Sequence, residues 1–282
     1  MDEHLGEPTE TDVQTLVRDK ERLAQVRERL SDISWFMRAL SEPIARMANR
    51  QDEVTGRFWE GRFKAQRITD EAGLLACAMY VDLNPIRAAM VETLEEAEHT
   101  SAYDRIEGER GRQIEAAAFD LKAIPTEEAA KVLKTTTPED RKRIKAARRR
   151  NPTGRKILRD GWLAPIELGR SATASNPQIS RSGVRASDKG FLCMSWREYL
   201  RLLRWTARQR DPVEGRKVPP SLQSIVSKLG IDLTMWRDLV WNFKRYFGRS
   251  RYAGSPASMS SAATTQSRRW AKGQSAVRAC FC

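Results

Sequence analysis

Residues 74–81, LLACAMYV, are the longest apolar run in the chain, and any fold has to bury them. Asp70 and Glu71 supply an acidic helix start just ahead of the run. Leu74, Leu75, Ala78, Met79 and Val81 fill apolar positions of that helix. The run is far short of the ~20 residues that a membrane span requires, so this helix belongs to a globular core. Tyr80 and Asn84 stand four apart and would share a face if the helix continued. Pro85 disfavours α geometry at Asn84, so the helix ends or kinks there. Spacing alone leaves two readings open. A phenol and a carboxamide at a helix end can be a nucleophile beside a metal-orienting group. Equally, Tyr80 is a half-buried core residue, and Asn84-Pro85 is a helix stop.

The segment before this helix, residues 57–68, mixes Phe58, Trp59 and Phe63 with Arg57, Arg62, Lys64 and Arg67. Partial alternation and β-favouring residues predict a short strand or turn-strand. Aromatic rings interleaved with cations suit single-stranded DNA, because bases stack on rings while cations follow phosphates. The alternative is a core aromatic cluster with a solvated arginine edge.

GRFWEGRFK, followed about a helix later by YVDLNPIRAAMVE, resembles the C-terminal half of the REP-associated tyrosine transposases, members of the HUH single-strand transposase class. The resemblance spans residues 31–106. It implies DNA transposition, with Tyr80 as the nucleophile that cuts single-stranded or hairpin DNA and Asn84 as a ligand of a divalent metal (Mg or Mn). It also implies DNA contact through Arg57, Arg62, Lys64 and Arg87, and assembly as a homodimer. The family's other two ligands are histidines in a His-hydrophobic-His triplet on an earlier strand. Here the only histidines, His4 and His99, form no such triplet. The expectation is therefore a truncated, impaired relative, and the competing reading is a catalytically silent nucleic-acid-binding protein that uses its basic surface and C-terminal helices.

Charge supports an anionic partner under either reading. The chain carries 50 Lys and Arg against 37 Asp and Glu, for a net +13. Its four cysteines, Cys77, Cys193, Cys280 and Cys282, lack C-x-x-C spacing, which argues against a zinc module or a disulfide scaffold. The start, MDEHLGEPTE, is acidic and has no apolar targeting core, so a cytoplasmic protein without membrane partners is expected.

Along the rest of the chain, residues 11–30 read as one amphipathic helix, with Ser31 and Asp32 as punctuation before a second helix that carries Pro43. Residues 115–119 and 127–133 suit short helices. The run RKRIKAARRR brings Arg141, Lys142, Arg143, Lys145, Arg148, Arg149 and Arg150 together as a cationic rod that can bind phosphates without reading sequence. Residues 171–189 read as a polar linker. Ser195 and Glu198 form a capping box, Gly230 is a natural helix stop, and Thr234 suits the cap of a last apolar helix. This helix–turn–helix pattern fits a DNA-reading unit or a plain helical bundle equally. Residues 248–282 are rich in Ser, Ala and Arg and read as disordered.

The expected fold is mainly α: a helical remnant of an α+β transposase domain with at most a short strand pair, a C-terminal helical unit and a disordered tail. The expected divisions are 1–30, 31–107, 108–190, 191–247 and 248–282, with part of the Tyr80 helix left exposed.

Overall fold

The computed structural model describes residues 9–123, 137–139, 159–168, 180, 185, 187–209 and 219–281. The fold is mainly α, with a single two-stranded sheet among the described residues. It divides into two compact units, Met1–Ala65 and Gln66–Cys282.

The first unit holds α1 (Glu10–Arg18), α2 (Lys20–Ser31) and α3 (Ile33–Gln51). Thr9 and Asp12 form a reciprocal capping box at the start of α1. The single helix expected over 11–30 is broken at Asp19, whose carboxylate accepts from the Arg22 amide at 2.9 Å and so starts α2. Asp32 starts α3 in the same way, accepting from the Ser34 amide at 2.6 Å. α3 runs on through Pro43. No described residue of these three helices is fully buried.

The second unit is built on α4 (Glu71–Asp82), which buries Leu75, Ala76 and Met79 completely. α4 ends at Leu83, and Pro85 sits in the first turn of a short α5 (Asn84–Arg87). α6 (Ser101–Ala123) is one long helix that takes in residues 115–119, which were expected as a separate short helix. Next come α7 (Trp196–Ala207), α8 (Pro220–Lys228), α9 (Leu233–Trp241) and α10 (Phe243–Phe247). The Ser195–Glu198 capping box starts α7, and Gly230, at φ +66, follows the end of α8. α9 starts two residues earlier than a Thr234 cap would set it: Asp232 accepts from the Met235 amide at 3.3 Å.

Two expectations are corrected here. The C-terminal helices are not a separate unit, because α9 and α10 pack directly on α4. α4 is apolar on every side, so one neighbour cannot cover it. Only Val81 remains exposed in it. The disordered tail is also overturned. Residues 248–281 contribute β2 (Tyr252–Ala253), α11 (Pro256–Thr265), α12 (Gln274–Val277) and a 3-10 turn. Tyr252, Ala253, Met259, Ala263, Val277 and Cys280 lie in the core. Small residues such as Ala253 and Ala263 read as polar-tail composition, yet both are buried, and Ala253 lets β2 approach α4 closely at Gly73.

The strand expected within 57–68 shrinks to β1 (Arg67–Ile68), and its partner is distant β2 rather than a hairpin neighbour. The pair is parallel, with Arg67 opposite Tyr252 and Ile68 opposite Ala253. At the strand exit, Asp70 caps α4 through the Gly73 amide at 2.8 Å. It also accepts from the Ser255 amide at 2.7 Å and the Ser258 hydroxyl at 2.6 Å at the start of α11.

Candidate nucleic-acid interface

The break between α4 and α5 sets the geometry around Tyr80. Tyr80 belongs to α4 and Asn84 opens α5. Tyr80 is half-buried, and its ring stacks on Phe243 with centroids 5.0 Å apart. The Arg87 guanidinium lies 4.5 Å from the Tyr80 ring centre and donates to Asn84 Oδ1 at 3.5 Å. Tyr80, Asn84 and Arg87 are thus gathered at one helix junction.

The donors at this junction do not fit a divalent ion. The Asn84 oxygen faces a guanidinium, and the nearest carboxylate in sequence, Asp82, is buried and occupied. Asp82 Oδ2 accepts from the Tyr199 hydroxyl at 2.7 Å. Asp82 Oδ1 accepts from Ser101 Oγ at 3.0 Å and from the Ala102 amide at 3.2 Å, which caps α6. Burial pushes the Asp82 carboxyl above its ordinary range against these bonds and the nearby Arg105. Among the described residues no group of three His, Cys, Asp or Glu could hold a metal. His99 is an exposed residue in the left-handed region, at φ +69.

Arg57, Arg62 and Lys64 are all exposed in the first unit. The aromatic residues among them are not a core cluster: Phe58, Trp59 and Phe63 are 43%, 43% and 36% exposed. Trp59 is fixed by its indole N–H, which donates to the Ser41 carbonyl of α3 at 2.9 Å. Its ring, with Trp35, Phe63 and Arg62, lines a groove of about 620 Å³. The rod of Arg141, Lys142, Arg143, Lys145, Arg148, Arg149 and Arg150, and the helix expected over 127–133, lie outside the described residues.

The helix–turn–helix reading loses its reading helix. From Met235 to Trp241, every residue of α9 is buried or half-buried, with Trp236, Leu239 and Val240 in the core. Residues 235–241 present no exposed side chain to a DNA groove, whereas Lys244 and Arg245, in the part of the expected helix that forms α10, are exposed.

Two features escaped the sequence reading. One is the buried Asp82–Tyr199–Arg105 group. Its only sequence signal is an acidic residue on the buried face of α4, three positions after Met79. The other is a basic groove of about 680 Å³ between α6, α7 and the start of α8, lined by Arg110, Arg197, Arg201, Arg204 and Arg208. Four of these recur along α7 with helical spacing, opposite the apolar stripe of Tyr199, Leu202 and Leu203. That pattern is visible in the sequence once the helix is read for its charged face.

No protein-family model matches the chain, nor does any curated protein or solved structure. No helix among the described residues is long and apolar enough to cross a membrane.

Proposed function

We propose that this chain binds single-stranded DNA as a catalytically silent relative of the REP-associated tyrosine transposases. The observation that carries the reading is the exposure of Phe58, Trp59 and Phe63 among the exposed Arg57, Arg62 and Lys64. Exposed rings give bases a stacking surface, and the interleaved cations neutralise phosphates. The net charge of +13 adds a long-range attraction that depends on salt. Tyr80 is structural in this reading, because its ring joins α4 to α10 through Phe243.

A second reading, strand cleavage by Tyr80, draws on the convergence of Arg87 and Asn84 on that residue. The phenolate would attack a phosphodiester phosphorus, the bond to the 3′ oxygen would break, and the 3′ hydroxyl would leave carrying a proton. The 5′ phosphate would remain on tyrosine. Arg87 would supply positive charge to the phosphate oxygens.

Labelled hairpin DNA, incubated with the protein in magnesium or manganese, separates the two. The proposed function expects retarded DNA without a covalent adduct, and binding weakened about tenfold in Trp59→Ala, consistent with loss of one stacked base. An adduct that disappears in Tyr80→Phe would establish the second reading instead. If no DNA is retarded at low salt, both are wrong.

A further inference from the structure

The groove beside α7 has no assigned role, and its chemistry is distinctive. The face of α7 that points away from the core carries Arg197, Arg201 and Arg204, and its C-cap is Arg208, all exposed. Arg110 of α6 adds a fifth guanidinium to the lining. One carboxylate, Glu109, also lines the groove, and its oxygen accepts from the Trp196 indole N–H at 3.0 Å. Five arginines and one glutamate line the groove, the glutamate is engaged by Trp196, and Arg110 pairs with Glu107 at 3.5 Å. Glu95 holds Arg204 at 2.8 Å in a pair whose side chains are about half exposed, so an incoming anion can compete for that guanidinium. Trp205, half-buried, adds an aromatic wall.

We propose that this groove is a phosphate-backbone site for a single strand of nucleic acid, with one base resting against Trp205. This rests on the reading of the chain as a nucleic-acid binder. Steps of three and four residues place successive arginines of α7 about 4.5–6 Å apart along the helix axis. That spacing lets neighbouring guanidiniums reach neighbouring phosphates of one strand, and the Trp205 ring in the same groove is what favours a single strand with an unpaired base. Guanidinium groups suit this task because each can grip phosphate oxygens with two parallel N–H bonds. The rigid scaffold is the capping box and apolar stripe of α7, which fix where the ladder points.

The test is fluorescence anisotropy of a labelled oligothymidine strand with full-length protein across a salt series. The Arg197→Gln/Arg201→Gln variant, altered only at exposed positions, should bind about tenfold or more weakly at low salt. Its salt dependence should be shallower by about 1.4 in log–log slope, since each lost phosphate contact removes roughly 0.7. Glu95→Gln, which leaves Arg204 without its carboxylate, should bind about twofold more tightly. A circular-dichroism melt matching wild type shows that any change is not unfolding. If the double variant binds with wild-type affinity and slope while Trp59→Ala is weakened, the groove is overturned and the proposed function stands. If the wild-type protein binds no strand, both fall. If a duplex of equal length outcompetes the single strand at the groove, the single-strand assignment is overturned.

Discussion

Asp70 joins two distant helix starts through one carboxylate. It accepts from the Gly73 amide in α4 and from Ser255 and Ser258 in α11. Burial pushes its carboxyl up, but the hydrogen bonds from Ser258, Gly73 and Ser255 outweigh that and hold it below the ordinary range. With the folded value below the unfolded one, the native state binds fewer protons. The stabilisation is whole above the ordinary carboxylate range and is lost as pH falls through the folded value. Asp70→Asn should therefore cost about 1–2 kcal/mol at pH 7, the scale of a lost helix cap. The gap to wild type should narrow toward pH 3 in urea denaturation followed by circular dichroism. A gap that widens on acidification would refute this account of Asp70. Asp82 has the opposite sign: burial raises it, so its contribution is whole below the ordinary carboxylate range and is lost as pH rises through its folded value. Asp70 was legible as the start of α4, but its bond to Ser255 and that of Asp82 to Ser101 run to partners more than eighteen residues away that no local pattern shows. Tyr80 and Asn84 were legible as residues but not as a site, because only the fold decides that Phe243 and Arg87 meet them.

At the scale of elements, the junction of α4 with β2 is the tightest. A Cβ added at Gly73 would stand 2.5 Å from the Ala253 carbonyl oxygen, and backbone cannot swing aside as a side chain can. Gly→Ala inside a helix otherwise adds about 1 kcal/mol through propensity. Here overpacking of about 1–3 kcal/mol should exceed that gain, so Gly73→Ala is expected to lower the melting temperature. An unchanged or raised melting temperature would show that α4 and β2 do not approach this closely. The same junction tests the folded C-terminal segment. Met259 is fully buried in α11, and Met259→Ala should cost about 2–5 kcal/mol as a core truncation. A neutral result in chemical denaturation would restore the disordered tail. Some helix starts at this scale were readable in advance, though the Asp19 cap of α2 and the start of α9 were not. Ser195 caps α7 as expected, because the Glu198 amide, only three residues on, donates to its hydroxyl oxygen. Strand pairing was not, since β1 finds its partner 185 residues later at a register no local pattern encodes.

Across the whole molecule, burial is concentrated in one unit. The second unit carries the apolar core, while α1, α2 and α3 contain no buried residue among those described. Short helices without buried faces gain little from tertiary packing and open locally. Hydrogen exchange should therefore run fast through residues 10–51 and slowly through α4, α7 and α9. Equal protection in both units would contradict that division. The sequence by itself determined the helical class, the basic charge and the caps at Asp70 and Ser195, for a physical reason. Propensity, charge and capping act within a few residues of chain, so their signals sit where their effects are. Tertiary structure alone decided that α4 is enclosed by helices from the other end of the chain, that residues 248–281 fold, and that α7 presents its arginines to a groove. Burial needs a second surface, and that surface comes from residues more than a hundred positions away.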